Sequence, residues 1–532
     1  MLKPVVALGL LTLSCLLSAC RGSSNVGTKK PGGESTSSST TTGGGSGESE
    51  TGDPSDGKVA FPPEVGKISC DDALFVDEPA LQWVDVPLTE AGGMDGLRAA
   101  IANSDVMKPT RIRLAPGTYA GQCLYVEDHL RTKAAPLWIK GEGAVQIACT
   151  DGNGQALGFV HSSYIAVEGL TIGPESGFYG DSGVHISGRT VHPEDPKYYG
   201  VWNPSHHFIV RNNVLRNMNR GPDGDQNPDH YESGCCDGAK SNQTEWVWYV
   251  GNTISRTARH GIDNVGVHHA AICKNRFYDM VGEGQGTEAK GGSYDILIEG
   301  NSFDRVFHRA IILGGEGTNN NFMWPTDFPS EAYGVVARNN VIINAADGGV
   351  TFYGCWGCTA INNSIWFTPG YSIVQSHDFM RMYPSVLEDG IYEEWGQAKR
   401  VGEALTNKNC KVVNNFFGAA AGDATCALDA SDDGNGVIEL QMNHNAFYNG
   451  GNPLPECGSG KNSITGYASA GPTLTSDPKL TAAGSFPTPK ANLTPKIGSA
   501  LIGAGAADPL APKKDYAGKT RPSAPSVGAL EP

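Results

Sequence analysis

Two apolar residues spaced by one, an asparagine, one residue and a further large apolar residue: this order recurs along the chain. It reads FIVRNNVL, VWYVGNTI, AAICKNRF, ILIEGNSF, VVARNNVI, CTAINNSI, CKVVNNFF and LQMNHNAF, with the shared asparagines at Asn213, Asn252, Asn275, Asn301, Asn340, Asn363, Asn415 and Asn445. An earlier copy, IAVEGLTI, has Leu170 in the asparagine place. Five residues before the asparagine stand Phe208, Val247, Ala270, Ile296, Val335, Cys358, Cys410 and Leu440, and two residues after it come Leu215, Ile254, Phe277, Phe303, Ile342, Ile365, Phe417 and Phe447. The intervening column is mixed, with Arg211, Glu299, Arg338, Lys411 and Gln441. Alternation of this kind predicts strands with one buried face.

The spacing turns strands into an architecture. Asn252, Asn275 and Asn301 are separated by 23 and 26 residues, and Asn340 and Asn363 by 23, about one coil of a parallel β-helix. The longer gaps of 39 and 52 residues then read as coils carrying loops, or as pairs of coils of which one lacks its asparagine. Stacked coils would let the asparagine side chains hydrogen-bond along the axis. Leucine-rich repeats of fixed length are not present. A solenoid needs covered ends, and Met94, Leu97 and Ile101 in GGMDGLRAAIANS share one helical face suited to an N-terminal cap.

These copies, with RIRLAPGTYAG (111–121) and DYAGKTRPSAPSVGALEP (515–532), resemble the right-handed parallel β-helix proteins of the pectate-lyase-like superfamily. The resemblance covers roughly 84–532. It implies an all-β fold, a single-stranded right-handed parallel β-helix, over a domain spanning 58–532.

The ends add location. Lys3 and the apolar run Val5–Leu17 form a signal peptide over 1–19, too short for a comfortable membrane span. It closes in Leu17-Ser18-Ala19-Cys20, which resembles a bacterial lipobox and implies a lipidated Cys20. Arg21, rather than Asp, favours the outer membrane. Residues 20–57, rich in Ser, Thr and Gly, read as a flexible tether. A net charge of −16 argues against nucleic acid as a partner, and one chain is expected to act alone. Of 13 cysteines, eleven remain after Cys15 and Cys20, so export makes disulfides the favoured reading and leaves at least one unpaired. Cys123 with Cys149, one coil apart, and Cys358 with Cys410, in one inward column, are the candidate pairs. His230, Cys235, Cys236, His260, His268, His269 and Cys273 match no standard zinc spacing. Cys355-Trp356-Gly357-Cys358 resembles a redox motif in outline only.

The candidate chemistry lies in CDGAKSNQTEW, RHGIDNVGVHH and TEAKGGSYDI. Counted back from their asparagines, Lys240 and Asp263 lie at twelve residues and Lys290 at eleven, which predicts one outward column. Asp237, Arg259, His260 and Glu288 are close by, and Arg309 opens the next coil. This set suits β-elimination on a uronate polysaccharide: Lys290 as base, Arg309 and His260 as auxiliary groups, Lys240 as charge partner, Arg259 on substrate. Cations nearby would lower the lysine pKa. Asp237, Asp263 and Glu288 are the oxygen ligands for a possible Ca2+. Glu288-x-Lys290 with a later Arg also resembles the alginate and chondroitin lyases of this fold, but Arg259-His260-Gly261 precedes Lys290 here instead of following it. Two alternatives stand beside this reading. One is a glycoside hydrolase using Asp237, Asp263 and Glu288; the asparagine, aspartate and lysine motifs of polygalacturonases are absent. The other is a non-catalytic glycan-binding or adhesin protein, with Lys240, Asp263 and Lys290 forming a solvated charge ladder. Trp246 and Trp248 could stack on sugars, or lie under a loop such as 316–334.

Overall fold

The computed structural model describes residues 61–149, 154–175, 180, 182–188, 204–218, 236–282, 284–315, 323–324, 328–371, 378–386, 404–430, 437–455, 471–485 and 491–532. Cys20, the signal peptide, the tether, His230, Cys235 and most of 316–334 lie outside these residues. No helix among the described residues is long and apolar enough to cross a membrane.

Strand after strand pairs in parallel with the strand one coil away, and three continuous faces result. The first includes Ser182–Ser187, the leading halves of Asp237–Val250 and His260–Cys273, then Gln285–Lys290, Ile311–Gly314, Val350–Tyr353, Met380–Tyr383 and Asp429–Ala430. The second includes Ser205–Arg211, the trailing halves of the two long strands, Ser293–Glu299, Val336–Arg338, Thr359–Ile361 and Lys411–Val413. The third includes Val214–Arg216, Thr253–Ser255, Arg276–Tyr278, Ser302–Val306, Val341–Ala345, Ser364–Phe367 and Phe416–Ala419. The predicted parallel β-helix is therefore the fold. The long spacings are loops: Glu299 pairs directly with Arg338, and Ile361 with Val413.

The asparagine column is a buried ladder running from Asn213 to Asn445. Asn252 Oδ1 accepts the backbone N–H of Asn213 at 3.0 Å and its Nδ2 at 3.2 Å, while Asn252 Nδ2 donates to Val210 O at 2.7 Å. The same set repeats through Asn275, Asn301, Asn340, Asn363, Asn415 and Asn445. Leu170, which lacks the carboxamide, still donates its N–H to Asn213 Oδ1 at 3.0 Å. The residue before each asparagine is left-handed, from Asn212 at φ 56° to Gly300 at φ 68°, which explains the frequent Gly and Asn there. That corner turns the chain from the second face to the third. The apolar columns fill the interior in one continuous cluster, where Phe277 stacks on Phe303 at 4.6 Å. Helix Gly93–Ala102 adds Met94, Leu97 and Ile101 to the same cluster.

Two segments clothe the outside. Residues 61–83 run back along the second face. Gly66 and Lys67 N–H groups bind the Asp295 carboxylate, Cys70 is bonded to Cys273, Asp72 accepts from Trp248 Nε1 at 3.2 Å, and Asp77 pairs with Arg211 at 2.6 Å. The C-terminal segment covers part of the third face with Val527, Ala529 and Leu530. Cys123–Cys149 is a disulfide, as its spacing suggested. The other candidate pair is corrected. Cys358 bonds to Cys355, and Cys410 is a buried free thiol that donates to Cys355 O at 3.2 Å. Cys236 and Cys426 are disulfide-bonded as well.

Asn301→Ala strands the buried N–H of Asn275, so urea unfolding should show a loss of about 2–3 kcal/mol. A loss below about 0.5 kcal/mol would mean that the ladder is not what holds successive coils together.

Candidate functional site

On the first face, outward positions of successive coils pair in the order His185, Lys240, Asp263, Glu288, Ile312, Thr351, Arg381, Asp429. Their neighbours Ala239, Ile262, Ala289, Ile311, Phe352 and Met380 point into the core. The third charged member of the column is thus Glu288, a correction of the expected Lys290. Lys290 pairs with Val265 instead. The cause is one extra residue at the following corner: Val265 faces Lys290 while His268 faces Tyr294, and the insertion falls at Gly291–Gly292, both left-handed.

Six of the candidate side chains are nevertheless brought together. Lys240 Nζ lies 2.6 Å from Asp263 Oδ2 and 3.4 Å from Asp237 Oδ2. His260 bridges the coils, with Nδ1 3.2 Å from Asp237 Oδ1 and Nε2 2.9 Å from Glu288 Oε2. Lys290 Nζ is 2.6 Å from the same Glu288 oxygen. Three carboxylates and three cations therefore form one network. It is not the solvated ladder considered above: Asp263 is fully buried, and Lys290, at 8 %, is nearly so. Lys240 retains 19 % side-chain exposure and marks the network's open edge; Arg259 is half-buried, and its charge acts on Asp263 and Lys290.

Burial opposes charge on Asp237, Asp263, Glu288, Lys290 and His260, and the partners overcome it. Lys240 and the His260 hydrogen bond hold Asp237 below its ordinary range against that burial. Burial also works against Asp263, yet Lys240, Lys290 and His260 keep it well below. Glu288, despite burial, is brought to about 2 by Lys290 and His260. For the cations the signs reverse. Burial lowers Lys290, but Glu288 and Asp263 raise it above the ordinary lysine value. Burial lowers His260 too, and Glu288 and Asp263 more than restore its proton. The expected lowering of the Lys290 pKa is thereby corrected: its nearest neighbours are carboxylates.

Asp237, His260 and Asp263 present ligand atoms within 4.8 Å of one another. The arrangement does not fit calcium. The Lys240 ammonium stands between Asp237 and Asp263, Glu288 is engaged by Lys290 and His260, and an imidazole is a poor ligand for a hard cation.

Arg309 joins a different group. It lies 3.0 Å from Asp347 and 5.2 Å from the Tyr353 ring. Arg381 pairs with Asp347 at 2.6 Å and with Asp378 at 2.9 Å, and Tyr383 donates to Asp429 Oδ2 at 2.5 Å. Sequence reasoning passed over Arg381, although a lone charge between Met380 and Met382 is the alternation signal for an outward position. Trp246 and Trp248 do not form a sugar platform. Trp248 is 8 % exposed beneath residues 61–83, and Trp246 is stacked on His269 at 4.3 Å, which occupies its face. The cover is thus the N-terminal segment.

No family model matches the chain, and no curated protein matches it. Among solved structures it is similar to pectate lyase Pel9A, with 12% identity, TM-score 0.46, and coverage of 85% of this chain and 97% of that one. It is also similar to an alginate lyase from Paenibacillus sp. str. FPU-7, with 12% identity, TM-score 0.40, and coverage of 68% and 99%. A GH136 lacto-N-biosidase from Eubacterium ramulus gives 11% identity, TM-score 0.39, and coverage of 73% and 66%. Neither residues nor reaction transfer at that distance.

Dialysis against a chelator should leave both the thermal midpoint and any activity unchanged. A fall in the midpoint that added calcium reverses would show a bound cation in place of the Lys240 ion pairs.

Proposed function

We propose that this protein is a β-eliminating lyase of uronate-containing polysaccharide, working on the first face of the solenoid. One observation carries the reading: five buried ionisable side chains, Asp237, His260, Asp263, Glu288 and Lys290, and the half-buried Lys240 form one contact network on an outward face. Apolar side chains would fill such a space at less cost in desolvation. Clustered, strongly perturbed groups of this kind are what proton-transfer chemistry requires.

The roles follow from the charges. Lys240 and Arg259, on the open edge, meet the substrate carboxylate and stabilise the charge that develops when the adjacent proton leaves. Lys290 takes that proton, and the carbon–oxygen bond to the departing sugar breaks as the carbon–carbon double bond forms. The departing oxygen takes a proton from water while His260, held as an imidazolium, supplies positive charge beside it. Glycoside hydrolysis needs one carboxyl kept protonated. Asp237, Asp263 and Glu288 are all held below their ordinary range, so the lyase reading is preferred.

Soluble protein starting at residue 58 should generate the ultraviolet absorbance of unsaturated uronate on at least one uronate polymer. Lys290→Ala should lower that rate about 100-fold or more while the protein stays folded. Because Glu288 and Asp263 raise the Lys290 pKa, the free-base form grows only toward and above the ordinary lysine value of 10.5, and the rate should climb through the alkaline range. Glu288→Gln removes the larger of these two, so the climb should move to lower pH. Absorbance that persists in Lys290→Ala, or reducing ends released without absorbance, would contradict the assignment.

We also propose that the lyase is held at the cell envelope, at the outer membrane, through a lipidated Cys20. Labelling with a fatty-acid tracer should mark the full chain and fail in Cys20→Ser; equal labelling of the two would contradict the anchor.

A further inference from the structure

The first face does not end at Lys290. From Glu288 the column runs through Ile312 and Thr351 to Arg381, three coil steps or ~14 Å, and on to Asp429. That is the reach of a short oligosaccharide lying along the axis. The two ends of the column differ in charge. At the upstream edge the exposed group is a cation, Lys240. At the downstream edge three carboxylates, Asp347, Asp378 and Asp429, surround Arg381 at 2.6, 2.9 and 3.6 Å, and Arg309 shares Asp347 at 3.0 Å. Among the described residues, two guanidinium groups stand against three carboxylates. The most exposed of the three acids is Asp429, at 26 % of its side chain.

A second feature sits in the same column. Thr351 is outward between Val350 and Phe352, fully buried, and its hydroxyl has no hydrogen-bond partner among the described residues. It stands directly over Arg381 in the ladder. A buried hydroxyl left in this way is costly unless something binds it. Beside it, Tyr353 and Tyr383 stack at 5.8 Å in the next outward column, with the Tyr383 hydroxyl on Asp429.

We infer that the Thr351–Arg381–Asp429 end is a subsite for an uncharged, hydroxyl-rich sugar residue, so that the substrate is a mixed polysaccharide in which such sugars accompany the uronate. This rests on the lyase reading above. A uronate homopolymer laid along the face would bring a carboxylate against Asp429, where the described cations, Arg381 and Arg309, are already engaged by Asp347 and Asp378. An uncharged sugar gives hydroxyl donors to Asp429 and a partner to Thr351, both in a desolvated setting where such bonds are strong.

The test compares homopolymers, polygalacturonate and alginate, with alternating polymers, hyaluronan and rhamnogalacturonan, by calorimetric binding and by release of unsaturated product. Wild type should favour one alternating polymer by about tenfold or more in both measurements. Asp429→Asn should narrow that preference by a similar factor, chiefly by gaining on the homopolymers. Thr351→Val, which keeps the shape, should weaken the alternating polymer and leave the homopolymers unchanged. A binding preference for a homopolymer, or a preference that folded Asp429→Asn and Thr351→Val both leave untouched, would overturn the subsite. Binding preference retained with no unsaturated product from any polymer would uphold the subsite and overturn the lyase reading alone.

Discussion

From Asn213 to Asn445, each coil of this protein is set upon the next by a buried carboxamide. The asparagine side chain accepts the backbone N–H of its counterpart one coil earlier and returns a donor to a carbonyl of that coil, so the ladder amides are paired in the interior. Because the bond fixes register as well as distance, it also fixes which outward residues stand over one another on the other two faces. The charged column is a consequence of that register: a slip by one residue would send Lys240, Asp263 and Glu288 into the core and bring Ala239, Ile262 and Ala289 out.

Given that frame, the network on the first face is an expense the fold does not require. The second face shows the cheaper solution, where Ala166, Ile209, Ala271 and Leu297 point outward and are covered by residues 61–83. The first face carries carboxylates and ammonium groups at equivalent positions, matched closely enough that Asp263, Glu288 and Lys290 are held in their charged forms. Placing reactive groups on consecutive rigid strands holds them without support from loops, which is the arrangement that proton transfer demands.

The fold was legible because one residue type recurs at one position in eight coils, and a buried asparagine leaves a mark that hydrophobic patterning alone does not. The site was legible in part. Asp237, Lys240, His260, Asp263, Glu288 and Lys290 do meet, but the order within the column was misread, since counting from Asn301 could not reveal that Gly291–Gly292 adds a residue at the corner. The cover over Trp248 was invisible for a different reason. Residues 61–83 have no periodicity, and their anchors, Cys70 to Cys273 and Asp72 to Trp248, join positions far apart in sequence. Arg381 and its carboxylates were missed because their strands, Met380–Tyr383 and Asp429–Ala430, are short and lie in coils whose asparagines are separated by long insertions. The pairing of Cys355 with Cys358 escaped the column argument, which considered only neighbours across coils.

The central claim is that the buried charges are kept for chemistry and not for stability. The direct measurement replaces the Lys240–Asp263 pair by Met and Leu together and reads unfolding free energy and unsaturated-product formation on the same protein. The account predicts stability equal to wild type or up to about 3 kcal/mol higher, with product formation lost. A double variant that remains active, or one that is inactive only because it has become unstable, would contradict it.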